Sequence, residues 1–165
     1  MDEPGKRAWA GAYQNPKIVW ICTDSGYRGS AYDPQGKEAV LPVDADNQAL
    51  GVALLEASES SRFLSLDEVP TFFDYRIATP IYEARIRSLV ASQRYRNKIA
   101  LFNRMKYCSI TLFKGMIEIL PTIHEGSDSW SFKKRDGIEE TLIAADRPPA
   151  EIGTALRYGF SRCVE

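Results

Sequence analysis

The chain has 165 residues, 44% hydrophobic and 26% charged, a composition too apolar for a disordered protein and long enough for one domain with a single core. Its 21 basic and 22 acidic residues leave a net charge of -1, which supplies no overall field to draw it to nucleic acid or to an anionic membrane. No window approaches the roughly eighteen apolar residues of a membrane span, no hydrophobic run follows Asp2, Glu3, Lys6 and Arg7, and Cys22, Cys108 and Cys163 are odd in number and far apart, so a cytoplasmic protein with reduced thiols is expected.

Residues 1–16 carry Pro4, Gly5, Gly11 and Pro16 without a period and read as a loose leader, which Trp9 and Tyr13 could dock. Lys17 to Thr23 is rich in β-formers and predicts the first strand, ended by the turn cluster Asp24-Ser-Gly-Tyr27. Tyr27 to Lys37 reads as loop or ragged strand. A strand over about 39–43 and a helix over about 47–60 follow, with Asp46 or Asn47 as cap. Ser65 and Glu68 form a capping box for a short helix to about Phe73. Thr79-Pro80 is expected to open a helix running from Ile81 to about Ser92, and Asn97 to cap another through Met105. Ser109–Phe113 and Met116–Leu120 flank Lys114-Gly115 as a hairpin, and loops over Gly126–Ser129 and Lys133–Gly137 surround Trp130. A strand near 140–145 and a helix from Pro148-Pro149 to about Arg162 close the chain.

One strand-plus-helix unit occurs twice, 102 residues apart. Val40-Leu-Pro-Val-Asp44 precedes Leu50-Gly-Val-Ala-Leu54, and Leu142-Ile-Ala-Ala-Asp146 precedes Ile152-Gly-Thr-Ala-Leu156. Glycine inside a helix costs about 1 kcal/mol relative to alanine, so its recurrence at Gly51 and Gly153 predicts close packing of both helices on one face of a sheet. The expected fold is a single α+β domain over residues 1–165, with about five strands, largely antiparallel in the middle, and this unit duplicated.

Chemistry is sparse. His124 is the one histidine, and its spacing to Cys22 and Cys108 supports no nucleophile–base pair. Without a CxxC pair, an HExxH helix or a glycine-rich phosphate loop, the sequence predicts no catalytic residue, no metal site and no cofactor. Between Arg76 and Lys106 eight basic residues, among them Arg85, Arg87, Arg94 and Arg96, accompany the single acid Glu83, with Tyr82, Tyr95, Phe102 and Tyr107 interleaved. That stretch reads either as an RNA-binding face with aromatic stacking or as a solvated helix surface paired with the acids before it. Those acids, Glu56, Glu59, Asp67, Glu68 and Asp74, read either as a solvated face or as a patch that holds a basic protein partner.

A series of short segments resembles a known family. Asp24-Ser-Gly-Tyr27 with Tyr32-Asp33-Pro34, Leu41-Pro-Val-Asp44 to Leu50-Gly51, Ser61-Arg-Phe-Leu64 before Asp67-Glu68, Ala100-Leu-Phe102 to Met105-Lys106, Pro121-Thr122 with His124-Glu125, and Glu151-Ile-Gly153 to Ser161-Arg-Cys163 occur in order over about residues 17–163. Together they resemble the immunity proteins of bacterial contact-dependent growth inhibition systems. The resemblance implies a non-enzymatic cytoplasmic protein that binds and neutralises the toxic C-terminal domain of a large cell-surface exoprotein, commonly a nuclease. On that reading the partner is a cognate toxin domain, membrane and nucleic acid are not partners, and the free chain is a monomer. The five acids are then the candidate toxin-binding residues, with Arg85, Arg87, Arg94 and Arg96 as the alternative face. An RNA-binding or RNA-processing protein using residues 76–106 is the competing function.

Overall fold

The computed structural model describes residues 5–132 and 137–165. Among the described residues nine strands and five helices follow one another as β1 Ala8–Gln14, β2 Ile18–Gly26, β3 Ser30–Tyr32, β4 Glu38–Pro42, α1 Asn47–Glu59, α2 Val69–Phe72, α3 Tyr75–Ser92, α4 Lys98–Phe102, β5 Lys106–Phe113, β6 Met116–Pro121, β7 Ile123–Gly126, β8 Ser129–Ser131, β9 Thr141–Ala144 and α5 Pro149–Ser161. Seven strands form one antiparallel sheet, ordered β3-β2-β1-β5-β6-β9 with β4 beside β3 on the same edge of β2. The sheet is therefore wider than the five strands expected, while the α+β class and the antiparallel pairing hold.

The duplication extends beyond the repeated segments. A hairpin (β1–β2, or β5–β6), a third strand antiparallel to the second (β4, or β9) and a helix (α1, or α5) recur in each half. The halves join through the β1–β5 pair at the centre, so β4 and β9 lie at opposite edges. Helices α1 and α5 lie together on one face over Val19, Ile21, Ile110, Ile117 and Ile119. Their glycines meet each other's helix and not the sheet: a Cβ on Gly51 would sit 1.8 Å from the Pro149 carbonyl oxygen, and one on Gly153 1.9 Å from that of Asn47. The two contacts are equivalent by the same 102-residue offset. The glycine touching the sheet is Gly159, whose Cβ would lie 2.7 Å from Ile119 Cγ2.

Alternation along β2 sends Ile18, Trp20 and Cys22 to the other face, where α3 and α4 cover them with Ile86, Leu89, Leu101, Phe102 and Met105. All nine residues of β2 are buried, as two covered faces require.

Several expectations change. Residues Ala8–Gln14 are not part of a leader: they form β1, paired on both sides, because tertiary pairing and Ala10 and Ala12 on the α1 side outweigh a segment without sequence period. The turn expected at Asp24 begins after Gly26, since β3 extends the pairing of β2. Helix α3 starts at Tyr75, where Asp74 accepts from the Arg76 amide, and Pro80 falls in its second turn, where one lost hydrogen bond is tolerated. The Gly126–Ser129 loop is the tip of the β7–β8 hairpin. Other local signals hold: Asp46 caps α1, Asn97 caps α4, and Lys114 and Gly115 take the positive φ of a two-residue hairpin turn; of the expected capping box only the Glu68 half forms, its carboxylate accepting from the Ser65 amide in the turn ahead of α2. The first four residues of the expected leader and residues 133–136 of the expected loop lie outside the described residues.

Candidate functional site

On the α3 face of the sheet, a cavity of about 750 Å³ opens between the strands and the segment that runs through α2 into α3. Its floor follows from strand alternation. Tyr13 on β1 is paired directly with Tyr107 on β5, their rings 4.7 Å apart, and Asp24 on β2 continues the row of Trp20 and Cys22. Between them lies Gly11, where a Cβ would be 3.2 Å from the Tyr13 ring, 3.4 Å from the Tyr107 ring and 3.5 Å from Asp24 Oδ2. The absence of that side chain lets the two phenol rings and the carboxylate close together, and all three line the cavity.

The two carboxylates beside this floor have opposite environments. Asp33 is buried, yet its oxygens accept from Ser25 Oγ at 2.6 Å, from the Gln35 amide at 2.9 Å, and from Arg62 Nε and a terminal guanidinium nitrogen at 2.8 and 3.1 Å. Burial opposes ionisation, but the guanidinium and hydroxyl outweigh it and hold Asp33 below the usual carboxylate range. Asp24 is 7% exposed and lines the cavity, and among the described residues its carboxylate has no hydrogen bond or ion pair. Burial, with the charge of Asp33 nearby, pushes its acidity constant from 3.8 up to about 7. The hydroxyls of Tyr13 and Tyr107 are raised too, chiefly by burial.

The mouth is built by the 64–82 segment. Leu64 is anchored by its amide to the Gly26 carbonyl, and the turn that Ser65 and Glu68 close ahead of α2 places Asp67 and Glu68 in the cavity lining; the expected box does not cap α2, whose N-cap Glu68 has no side-chain cap bond. Ile77 and Ile81 of α3 form part of the wall and remain 48% and 40% exposed.

The candidate residues read from sequence are distributed unequally about this cavity. Asp67 and Glu68 line it, whereas Glu56 and Glu59 are exposed on α1, on the opposite face of the sheet, and Asp74 holds the Arg76 guanidinium. The five acids therefore do not make one patch. In the basic stretch, Arg85 is paired with Glu38, and Lys98 with Glu83 and Asp128. Arg87, Arg94 and Arg96 are exposed, without an ion pair among the described residues. The aromatics that would stack bases are committed elsewhere: Phe102 is buried, Tyr95 accepts from Asn15 Nδ2, and Tyr82 and Tyr107 line the cavity.

His124 lies flat on Trp130, ring centroids 5.2 Å apart, with Nε2 2.9 Å from the Ser127 carbonyl. Fold closure brings Cys108 and Cys163 to 3.6 Å, and Cys22 is buried on the other face. Among the described residues no group of acids, histidines and cysteines is arranged to hold a metal ion, and no helix is long and apolar enough to cross a membrane. Sequence reasoning missed Gly11, Tyr13 and Asp24 as site residues. The alternation Ile18, Trp20, Cys22, Asp24 was the signal that Asp24 faces inward, and it was obscured by reading Asp24 as a turn.

Comparison with known proteins matches residues 8–163 to the family model described as CDI immunity protein. The immunity protein CdiI-YPIII of Yersinia pseudotuberculosis serotype O:3 (strain YPIII) is 31% identical over 175 positions, covering 99% of each chain. A solved protein of unknown function from Neisseria meningitidis superposes with a TM-score of 0.89 at 31% identity, over 99% of both chains. A chain from a CdiA-CT/CdiI toxin and immunity complex of Yersinia pseudotuberculosis superposes with a TM-score of 0.88 at 30% identity, over 98% of this chain and 99% of that one. With the whole fold shared and the family model spanning both halves of the duplicated sheet, this chain belongs to the family of contact-dependent growth inhibition immunity proteins.

Proposed function

We propose that this chain binds the toxic C-terminal domain of a cognate contact-dependent growth inhibition exoprotein in the cytoplasm and neutralises it by occlusion, without catalysing a reaction. The observation that carries this reading is the full-length likeness to a chain from a toxin and immunity complex. We take the toxin to be a nuclease. A nuclease must hold phosphate and presents cationic groups, and an immunity protein can cover them most directly with carboxylates in the place of phosphates. Asp67 and Glu68, on the rim of a cavity with an unpaired carboxylate, support this electrostatic sense. The free chain is proposed to be a monomer.

The test is co-expression with a cognate toxin domain, sought as the C-terminal part of any large exoprotein encoded beside this chain. Protection of a sensitive host, a co-purifying complex, and suppression by the purified chain of the toxin's RNA or DNA degradation are expected. A toxin that kills equally with and without this chain would reject the immunity role; a protected host whose toxin degrades neither RNA nor DNA would reject only the nuclease assignment.

A further inference from the structure

We propose that the cavity receives a basic side chain of the toxin, its cation seated against the Asp24 carboxylate at the floor. The inference rests on the immunity reading and adds to it the chemistry of one contact.

Three observations converge. The first is the unpaired acid: a buried carboxylate without a donor is costly, and the local guanidinium, Arg62, is already engaged in a two-pronged contact with Asp33. A cation entering from outside supplies the missing partner. The second is the space. Asp24 itself lines the cavity of about 750 Å³, so a side chain that enters can reach its carboxylate, while a Cβ at Gly11 would crowd Asp24 Oδ2 at 3.5 Å and the Tyr13 ring at 3.2 Å. The third is the surround. Of the eleven exposed large apolar side chains among the described residues, five (Leu66, Phe73, Tyr75, Ile77 and Ile81) fall between residues 66 and 81, in the segment that builds the mouth, and Ile77 and Ile81 line the cavity. A small polar ligand has no use for such a surface, whereas protein interfaces centre an anchoring arginine or aromatic in a pocket and exclude water with apolar neighbours. Asp67 and Glu68 on the rim give the approach the same electrostatic sign as its end point.

The geometry also makes the contact sensitive to pH. Asp24 is faced by Asp33, Tyr107 and Tyr13 along the sheet and by the Cys22 thiol on its own strand. Arg62, Tyr32, Tyr82, Asp67 and Glu68 complete the charged and titratable lining. Of these, Asp24 is the group with an acidity constant raised into the neutral range. Below pH 7 it is mostly protonated and a poor counter-ion. Raising the pH from 6 to 8 is therefore expected to tighten binding roughly tenfold.

The test uses the full chain and a catalytically inactive toxin domain in calorimetric titrations at pH 6, 7 and 8, with folding of each variant checked by thermal denaturation. Asp24→Asn and Gly11→Ala are each expected to weaken the complex at pH 8 by tenfold or more, and Asp146→Asn, at an exposed acid beyond β9, to leave it unchanged. The tenfold pH dependence should disappear in Asp24→Asn, which separates Asp24 from titrating groups of the toxin. Gly11→Ala keeps the carboxylate and decides the matter should Asp24→Asn fail to fold. A wild-type complex that both folded variants reproduce overturns the inference and leaves the immunity function standing. Should the wild-type chain not bind the toxin, the immunity reading fails, and ethylguanidinium chloride followed by NMR decides the pocket chemistry. Perturbation of Asp24, Tyr13 and Tyr107 signals in the wild type but not in Asp24→Asn supports a cation site, and no difference overturns it.

Discussion

Replacing Gly51 or Gly153 by alanine isolates the contact that locks the two halves together. In a free helix the change is favourable by about 1 kcal/mol. Here the new Cβ would lie 1.8 Å from the Pro149 oxygen, or 1.9 Å from the Asn47 oxygen, and both obstacles are backbone atoms in the first turn of the opposite helix. They cannot rotate away, so α1 and α5 must part by more than about 1 Å over a contact that also carries Asn47 Nδ2 to Thr154 at 3.0 Å and Arg157 Nε to Asn47 at 2.9 Å. Overpacking of this kind belongs at or above the upper end of the usual 1–3 kcal/mol, about 4 kcal/mol, which leaves a net loss of about 3 kcal/mol per variant. For a chain of this size that corresponds to a drop of about 6–12 °C in the thermal midpoint. Because one separation relieves both clashes, the double variant should cost less than the sum of the singles, by roughly 1–2 kcal/mol. Gly159→Ala is the contrast, since its Cβ meets a side-chain methyl, Ile119 Cγ2 at 2.7 Å, and no backbone atom, and should cost less than either. Calorimetry with urea denaturation of the four variants measures all of this. Either Gly51→Ala or Gly153→Ala unfolding at the wild-type midpoint, or strict additivity in the double variant, would refute reciprocal backbone contact.

The acid at the cavity floor carries a separate stability signature. Burial raises Asp24 above its unfolded value of 3.8, so the folded chain holds the proton more tightly and stability is lost as pH rises from about 4 to about 7. The shift corresponds to at most about 4 kcal/mol, and Asp24→Asn should flatten that part of a urea-denaturation pH profile; an unchanged slope would show the carboxylate to be solvated. Charge reversal of Asp67 and Glu68 to lysine is expected to slow toxin association several-fold in stopped-flow measurements, while reversal of Glu56 and Glu59, on the opposite face, leaves it unchanged. Slowing by reversal of Arg87, Arg94 and Arg96 would instead place the interface on the α3–α4 side. His124→Ala, Cys22→Ser, Cys108→Ser and Cys163→Ser should retain protection in the co-expression assay wherever the variant folds, and a folded His124→Ala chain without protection would contradict a non-enzymatic mechanism.

Signals confined to a few residues could be read directly from the chain: the Asp46 and Asn97 caps and the Lys114-Gly115 turn rest on backbone groups within one turn of each other, and the duplicated strand-plus-helix unit rests on the repetition of the sequence itself. Family membership was legible for a related reason, since many short segments in a fixed order need no knowledge of what they touch. The site was not. Gly11 and Tyr13 belong to a segment whose strand character comes from pairing with β2 and β5, the latter almost a hundred residues away in sequence. Glycine at 51 and 153 signalled a close approach, but only the packing of α1 on α5 decided that the neighbour is the other helix. The distinction between Asp24 and Asp33 is the clearest instance. Both are aspartates in the same stretch of sequence, and one is satisfied by Arg62 while the other is left unpaired in a cavity. Ionisation depends on desolvation and on charges within several ångströms, and those are set by which distant segments fold against the residue.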